Sequence, residues 1–572
     1  MILGKEDLNV KKVFKYLSNK LELQIMIFII LLPFIDIYDF FIGSSIEILG
    51  ISMIEIFKIL VANYLLIFTI ISKKDKLTFL WHKYKKFIYV GLFLFAIYIV
   101  IHVINVGSFN FYIFNKNTDN NILVELYYIY RTYFVSLILL FVIMMSDISK
   151  KRIIKLISAI CFLVSTIIVL SNIFKVGYVA YSSYLEEDTI IHGSIFSWFS
   201  DLNIYNADFY TTKGFFFSVN QLSIVLFISF MISILNFVNY NEKYLYFTTF
   251  IKSLALLMLS TKVCGIGLFL ILMLYICLII FFKILNKQKF QIFKFCYLIF
   301  LFLFFLVLFF YSPLRYKIQL FNNNFIKNSD TEKEMFAFSK IENNNTEKEI
   351  FIIPKTEEND VTESTDNTFY EIKQDEYDKA NSMSLIELAN IEELNEYEKS
   401  AFINKLTEER GNLGIHLSYI ELYQIEDNVS FWQKVVLLPQ SNRINFRKFK
   451  LYLYNDVLQK NNNIFMDKMF GIGYISDFPY LEMDFLGQDV WFGKVGTICF
   501  VWIYVVVYLI ISVKFLFNMR KSFNLENCIL CICIGSTFLI SYIAGHMFGN
   551  IFPITILTLV LKAYSCIGNE VK

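Results

Sequence analysis

The side chains best suited to chemistry lie between residues 443 and 496, immediately before an apolar helix predicted over residues 497–513. This stretch closes the largest polar loop of a chain that is otherwise mostly apolar, so it places a cation and carboxylates at a membrane surface. An arginine can hold phosphate oxygens, and a carboxylate can take a proton from a hydroxyl. Chemistry on a lipid-linked substrate would need both groups. The residues concerned are Arg443, Gly471-Ile472-Gly473, Glu482, Asp484 and Gly493-Lys494-Val495-Gly496.

The chain is far too apolar for a soluble protein of its length. Of its 572 residues, 56% are hydrophobic, and apolar runs of membrane-spanning length recur along it. The nine cysteines lie in or beside these runs, and we interpret them as packing residues rather than as metal ligands or a disulfide framework. The composition predicts an all-α polytopic membrane protein, for which we expect no nucleic-acid partner.

Positive charge alternates between the loops, and this alternation predicts the topology. Lysine and arginine gather at residues 5–20, 73–86, 150–155, 283–294 and 514–521, which the positive-inside rule assigns to the cytoplasm. Both termini are then predicted inside. The pattern predicts about 12 spans, near residues 22–40, 50–71, 87–106, 123–146, 153–174, 216–238, 244–260, 263–283, 294–312, 496–513, 526–544 and 551–568.

The predicted spans divide the chain into three parts. Residues 1–312 hold spans one to nine, residues 313–495 form a large extracytoplasmic loop, and residues 496–572 hold the last three spans. Within the loop, residues 322–427 are acidic and predicted to be partly disordered, with amphipathic helix expected over 382–410. Residues 430–495 are basic, predicted to be helical, and contain the motif stretch.

Charged residues inside the predicted spans need partners. Arg131 lies about 12 Å below the outer end of the fourth span at about 1.5 Å per residue, where an unpaired guanidinium costs several kcal/mol. We expect Arg131 to face a substrate cavity or a carboxylate, with Glu125 as one candidate partner. Glu55 and Lys58, three residues apart in the second span, are expected to pair with each other.

A set of motifs occurs in the order typical of one membrane-protein family. Lys213-Gly214-Phe215-Phe216 precedes Asn220-Gln221-Leu222-Ser223, and Ser260-Thr261-Lys262 lies between two short spans. The stretch over residues 443–496 follows, and Ala544-Gly545-His546 lies near the end. In these motifs and their placement, the chain resembles the O-antigen ligase and O-antigen polymerase superfamily, in its Gram-positive branch, over nearly its whole length.

The resemblance implies a membrane-embedded glycosyltransferase of the C-type architecture. Members take a sugar chain from an undecaprenyl diphosphate carrier on the outer face of the bacterial cytoplasmic membrane and join it to an acceptor hydroxyl. The resemblance implies inversion at the anomeric carbon, no metal and no cofactor. The implied partners are a lipid-linked glycan donor, a lipid-linked glycan or cell-wall acceptor, membrane lipid, a flippase and a chain-length regulator. Because a Gram-positive cell has no lipid A core, we favour a polysaccharide polymerase, for example of a capsule, over a ligase.

The resemblance also implies roles for individual residues. Arg443 matches the loop arginine of the family and is expected to neutralise the diphosphate. Glu482 stands where many ligases have histidine, so a carboxylate would be the catalytic base, with Asp484 as the second candidate. The two carboxylates could equally cap the helix that enters the membrane. The expected substrate-binding residues are Arg131, Lys213, Asn220, Lys262, Arg447 and His546.

Plainer roles stay open for several of these residues. Lys213 and Lys262 could extend along the helices to the membrane surface, Arg447 could lie on a solvated face, and His546 could serve packing. Asp36 and Asp39 lie in the first outside turn, where metal-dependent C-type transferases use acidic pairs, so a metal site is the minority alternative.

A lipid-linked oligosaccharide flippase or a polysaccharide transporter is the alternative function. Such proteins are also polytopic and also bury charge, but they usually have internal repeats and short loops. No internal repeat is evident in this sequence, and its large loop favours the transferase. In cells, a dead transferase would accumulate lipid-linked units outside, whereas a dead flippase would trap them inside.

The predicted topology can be tested by cysteine labelling of intact cells. A reagent that does not cross membranes should label Asn344→Cys above the wild-type background, because residue 344 lies in the predicted outside loop. Lys74→Cys should stay unlabelled, because residue 74 lies in a predicted cytoplasmic loop. Labelling at residue 74 in intact cells would contradict the topology.

Overall fold

The fold is helical, as the composition predicts. The computed structural model describes residues 20–42, 47–48, 51–109, 122–180, 189–285, 291–326, 367–415, 417–443, 446–461, 463–474, 484–545 and 547–566. It is 81% helical. The strands in these residues form two short antiparallel pairs, Glu47–Ile48 (β1) with Ile51–Ser52 (β2) and Tyr178–Val179 (β3) with Thr212–Gly214 (β4). The prediction of an all-α polytopic membrane protein is confirmed.

In the part of the chain that the structure describes, nine apolar helices precede the large loop. All except α7, which is shorter, are long and apolar enough to cross a membrane. Within α4, Tyr130–Phe134 form a π-helical turn. The nine are α1 (Leu21–Ile42), α2 (Met53–Ser72), α3 (Lys74–Gly107), α4 (Ile122–Met145), α5 (Lys150–Ile173), α6 (Val219–Asn239), α7 (Tyr244–Leu259), α8 (Lys262–Ile284) and α9 (Ile292–Phe310).

The large loop contains a helical domain. Helix α10 (Pro313–Ile326) follows α9, and residues 327–366, which include much of the acidic insert, lie outside the described residues. We refer to the helices over residues 367–470 as the loop domain. They are α11 (Asn367–Ser382), α12 (Leu385–Ala389), α13 (Glu396–Glu409), α14 (Leu417–Leu422), α15 (Val429–Leu437), α16 (Gln440–Arg443), α17 (Phe446–Lys460) and α18 (Ile464–Phe470).

The amphipathic region predicted over residues 382–410 is two helices, α12 and α13, rather than one. Each begins with a capping box. The side chain of the residue before the helix accepts from the backbone amide of a glutamate three residues later, and the carboxylate of that glutamate accepts from the backbone amide of the first residue. The pairs are Ser384 with Glu387 and Asn395 with Glu398. These caps satisfy the amide groups at each helix start, so the chain can break and restart at little cost.

Four helices of the described residues begin at Asp484 or later, and the second of them is short. They are α19 (Asp484–Phe517), α20 (Met519–Ser522), α21 (Leu525–Ala544) and α22 (Ile551–Ser565). Helices α19 and α21 are long enough to cross a membrane, and α22 is a shorter apolar helix. Together with α1 to α9, these three helices lie at the positions of the predicted spans.

Two membrane helices begin earlier than predicted. Helix α3 starts at Lys74 instead of residue 87, because the lysine-rich residues before its apolar part include no proline or glycine to end a helix. Helix α19 starts at Asp484 instead of residue 496. Gly493 interrupts it with φ 66° and ψ 176°, so a short helix precedes the kink and the membrane-spanning part follows it.

Helix α6 lies at the centre of the bundle and α3 at its edge. Of the most apolar 18 residues of α6, 94% are buried inside the protein, whereas the corresponding share for α3 is 11%. Helix α6 packs against α5, α7, α8, α21 and α22. At the end of the bundle opposite the loop domain, Lys73 contacts Glu22 at 3.2 Å, and Lys150 contacts Glu526 at 2.8 Å. We call the end that carries the loop domain the loop end.

One apolar core runs from the loop domain into the bundle. In the loop domain it contains Phe431 and Trp432, both fully buried. It continues through Phe492 in α19 to Tyr98 in α3, whose hydroxyl donates to the Phe492 carbonyl at 2.9 Å. Because the core is continuous, the loop domain is packed onto α3, α4 and α19 rather than tethered by flexible chain.

The Gly471-Ile472-Gly473 motif fastens the loop domain to α19. The Ile472 amide donates to the Val490 carbonyl at 3.0 Å, and the Gly473 amide donates to the Trp491 carbonyl at 2.9 Å. A Cβ on Gly471 would lie 2.2 Å from the Trp491 carbonyl oxygen. Only glycine therefore allows the two backbones to approach this closely.

Gly493 of α19 lies equally close to the backbone of α18. Its φ is +66°, and a Cβ there would lie 2.3 Å from the carbonyl carbon and oxygen of Met469. Asn105 of α3 adds a side-chain contact to the same junction, because its amide donates to Asp467 Oδ1 at 3.0 Å and to the Gly471 carbonyl at 2.8 Å. We call this contact of residues 471–473 with Gly493 and its neighbours the glycine junction, and it joins α3, α18 and α19.

Gly493→Ala tests this junction. The substitution imposes a strained φ and a backbone clash, so it should lower the apparent melting temperature of the purified protein by at least about 5 °C. Gly91→Ala is the control, since nothing lies within 4 Å of a Cβ at that position. The control should melt like the wild type. Equal melting of the two variants would show that the close approach at Gly493 is not needed.

Candidate functional site

Charged side chains from three membrane helices meet at the loop end. Lys58 Nζ of α2 lies 3.3 Å from Asp39 Oδ2 of α1 and 3.0 Å from Glu55 Oε1. The other oxygen of Glu55, Oε2, lies 3.5 Å from Nε of Arg131 in α4. We call Asp39, Glu55, Lys58 and Arg131 the loop-end charge cluster. It concentrates opposite charges where apolar helices leave little water to solvate them.

The local fold accounts for the positions of Asp39, Glu55 and Lys58. The β1–β2 hairpin turns the chain between α1 and α2, so the end of α1 meets the start of α2. Ser52 caps α2 by accepting from the Ile54 amide at 3.3 Å. Glu55 and Lys58 then lie on one helix face, three residues apart, and their predicted pairing is confirmed.

Arg131 lies in the π-helical turn of α4. The turn widens the helix locally, and such turns are frequent at functional sites. The Tyr130 hydroxyl in the same turn donates to Asn63 Oδ1 of α2 at 2.8 Å. The Arg131 guanidinium lies 5.7 Å from the centre of the Tyr128 ring, and its side chain is 36% exposed. Arg131 is therefore paired and still accessible to a ligand.

Glu125, one candidate partner of Arg131, is held elsewhere, and Arg131 contacts Glu55 instead. Glu125 Oε1 lies 2.9 Å from His102 Nε2, and its Oε2 accepts from the Tyr474 amide at 2.7 Å. His102 Nδ1 lies 2.5 Å from the Phe470 carbonyl, which can only accept, so this nitrogen carries a proton. His102 and Glu125 therefore bind the junction with the loop domain.

Sequence reasoning missed His102 and Asn105. Their spacing was the available signal, because two polar side chains three residues apart in an apolar helix lie on one face and require polar partners.

The junction also reaches the charge cluster through an aromatic contact. The Tyr474 ring stacks on Tyr128 at 3.9 Å between centres, and Tyr128 lies against Arg131.

Lys213 lies close to the cluster, as a buried side chain of β4. Its Nζ donates to the Phe217 carbonyl at 3.4 Å and lies 4.9 Å from the centre of the Phe40 ring. The Phe217 amide donates to Asp36 Oδ2 at 3.2 Å. The Lys213 motif therefore packs against the same end of α1 that supplies Asp39.

The Asn220 and Lys262 motifs meet at the starts of α6 and α8. The Ser223 hydroxyl donates to Thr261 Oγ1 at 2.8 Å, and Thr261 caps α8 by accepting from the Cys264 amide at 3.1 Å. Asn220 is partly buried in the first turn of α6, while Lys262 is exposed. The structure therefore brings these two motifs together at the loop end.

Asp484 is buried and accepts hydrogen bonds from α21 and from the segment that follows α21. Its Oδ2 accepts from the Ser541 hydroxyl at 2.7 Å and from the Met547 amide at 2.7 Å, so it joins the start of α19 to the segment between α21 and α22. Glu482 and His546, which flank this contact in sequence, lie outside the described residues. The side chain of Arg447, on α17, also lies outside them.

Arg443 is held within the loop domain. Its Nε donates to the Leu413 carbonyl at 3.2 Å, and its Nη1 donates to the Val436 carbonyl at 2.5 Å. Burial lowers the pKa of this guanidinium from its ordinary value. These contacts do not join Arg443 to the loop-end charge cluster.

Asp36 and Asp39 are engaged by the protein itself. Asp39 contacts Lys58, and Asp36 accepts from the Phe217 amide. Across the described ranges, no group of three or more His, Cys, Asp or Glu side chains is arranged to hold a metal ion. The cluster of described side chains is thus one of ion pairs.

Comparison with known proteins agrees with this architecture. A family model described as O-antigen ligase like membrane protein matches residues 18–404 and 418–568. No curated protein and no solved structure matches the chain. The matched residues include all twelve apolar helices, the glycine junction and the loop-end charge cluster. The chain therefore belongs to the O-antigen ligase like membrane protein family.

Proposed function

We propose that the protein transfers a glycan from undecaprenyl diphosphate to an acceptor hydroxyl on the outer face of the cytoplasmic membrane, making a cell-surface polysaccharide. Membership of the family supports glycan ligation or polymerisation at a membrane. The observation that carries the proposal is the set of cations at the loop end, Lys58, Arg131 and Lys213, among apolar helices. A lipid-linked diphosphate is negatively charged and needs fixed cations beside it.

In the proposed reaction, the acceptor hydroxyl gives its proton to a general base while its oxygen attacks the anomeric carbon. The bond from that carbon to the diphosphate oxygen breaks, and undecaprenyl diphosphate leaves with the bonding electrons. Attack from the opposite side inverts the anomeric carbon. Arg131 and Arg443 would stabilise the charge that grows on the leaving group, because guanidinium forks bind phosphate oxygens strongly. The scheme uses no metal.

Glu482 is the base in this proposal. Asp484 is the second candidate, but the two hydrogen bonds to its Oδ2 favour a role in positioning the start of α19. Removing the proton of a sugar hydroxyl requires a carboxylate that can reach the acceptor. The other proposed substrate contacts are Lys213, Asn220, Lys262, Arg447 and His546.

We favour a polymerase, whose acceptor is another lipid-linked repeat unit, over a ligase. A polymerase supplied with a lipid-linked repeat alone should produce a ladder of longer lipid-linked chains. A ligase would produce no ladder under these conditions, because it needs a separate cell-wall acceptor. Product analysis from purified protein and one lipid-linked repeat separates the two.

Substitution of the proposed base tests the chemistry. Glu482→Gln keeps the shape of the side chain but cannot accept a proton, so turnover should fall by about 10² or more with little change in donor binding. Glu421→Gln, at an exposed position of α14, is the control and should keep wild-type turnover. Transfer is measured per monodisperse protein with EDTA present. Full activity of Glu482→Gln would move the role of base to Asp484 or His546.

Substitution of the loop arginine tests the leaving-group role. Arg443→Lys keeps the charge but loses the planar fork that can hold two phosphate oxygens, so transfer should fall by at least about tenfold. Arg410→Lys, at the end of α13, should change little. Reduced folding with unchanged activity per folded molecule would restrict Arg443 to the contacts seen with Leu413 and Val436. Loss of wild-type activity in EDTA would instead support a metal at Asp36 and Asp39.

A further inference from the structure

We infer that Glu55 is an internal counter-ion of a diphosphate site formed by Lys58 and Arg131, and that the diphosphate of the lipid carrier takes its place during each cycle. This inference rests on the proposed function and adds Glu55 to the residues that would act on the donor. Lys58 would bind the diphosphate directly. Glu55 would be a positioning residue, because it acts through the two cations.

One carboxylate sets the positions of both cations. Glu55 Oε1 contacts Lys58 Nζ at 3.0 Å, and Glu55 Oε2 contacts Arg131 Nε at 3.5 Å. The second distance is long for a hydrogen bond between charged groups, so the contact with Arg131 is the weaker of the two. The Arg131 side chain is 36% exposed, whereas that of Lys58 is 13% exposed. Arg131 is therefore the cation that an incoming ligand meets first.

The remaining contacts keep each cation in place when Glu55 is displaced. Asp39 Oδ2 contacts Lys58 at 3.3 Å, so Lys58 retains one carboxylate partner. The Tyr128 ring supports the Arg131 guanidinium at 5.7 Å, and the Tyr474 ring stacks on Tyr128. Arg131 thus keeps an aromatic support that carries no charge. The two cations can exchange Glu55 for a diphosphate without leaving their positions.

The exchange has a consequence for the reaction cycle. Without a donor, Glu55 neutralises cations that would be costly among apolar helices. When a diphosphate is bound, the same carboxylate is a like charge next to it and weakens its binding. Since the spent carrier is also a diphosphate, Glu55 should speed release of the product. A neutral side chain at residue 55 should therefore tighten binding and slow turnover.

Binding of undecaprenyl diphosphate to the purified full-length protein in nanodiscs tests the inference. Glu55→Gln should lower the Kd by about tenfold, whereas Lys58→Gln should raise it by about tenfold. Glu22→Gln is the matched control, because Glu22 pairs with Lys73 at the opposite end of the bundle, and its Kd should stay that of the wild type. A Kd unchanged or raised by Glu55→Gln would overturn the inference.

Steady-state transfer gives a second readout. Glu55→Gln should lower KM and kcat together, since a tightly held product slows each cycle. A purely structural role would reduce the amount of monodisperse protein and leave KM unchanged, which would overturn the inference. If Glu55→Gln does not fold, Asp39→Asn replaces it. That variant keeps an oxygen that can accept from Lys58 but removes one negative charge, so it should also lower the Kd, and a raised Kd would count against the inference.

Two further probes identify the chemistry that the site selects. Inorganic pyrophosphate should compete with undecaprenyl diphosphate, and its competition should be lost in Lys58→Gln. Phosphatidylglycerol, an anionic lipid with one phosphate, should not compete, and equal competition by it would overturn the diphosphate assignment. Wild-type protein that shows the predicted binding but transfers no glycan would refute the proposed function and not the site. Transfer with unchanged binding in both variants would refute only the inference.

Discussion

A charge placed among membrane helices must be neutralised close by, and this requirement organises the loop end of the protein. Insertion of an arginine or lysine at the centre of a membrane helix costs about 2.5 to 3.5 kcal/mol. Glu55 meets this requirement for Lys58 and Arg131 together. The ion pairs place α1, α2 and α4 in one arrangement and leave the arginine accessible. The same feature that stabilises the bundle thus prepares an anion site.

The glycine junction places a segment of the chain that leaves the loop domain beside the charge cluster. The backbone pairing of residues 471–473 with α19 holds the loop domain against the bundle, and Tyr474 follows directly in the chain. The Tyr474 ring then stacks on Tyr128 beside Arg131. A chain segment that begins in the loop domain therefore ends at the charge cluster. In the proposed reaction, this is how a base from the motif stretch and cations from the membrane helices would reach one substrate.

The sequence was sufficient for the helices and for contacts within one helix. Apolar runs and basic loops predict the membrane helices, and three-residue spacing predicts the Glu55–Lys58 pair, because both signals are local. The partner of Arg131 was not predictable, since Glu125 and Glu55 lie on different helices and only packing decides between them. The π-helical turn at residues 130–134 has no evident sequence signal either. The roles of Glu482 and Arg443 remain proposals that rest on the family resemblance.

An electron cryo-microscopy structure of the protein in a nanodisc with undecaprenyl diphosphate would show directly whether the loop-end charge cluster binds the lipid carrier. Diphosphate density is expected within hydrogen-bonding distance of Lys58 and Arg131. In that complex the contact between Glu55 Oε2 and Arg131 Nε, which is 3.5 Å in the structure described here, should be broken. Density for the diphosphate at another place, with the Glu55–Arg131 contact intact, would show that this cluster does not bind the lipid carrier.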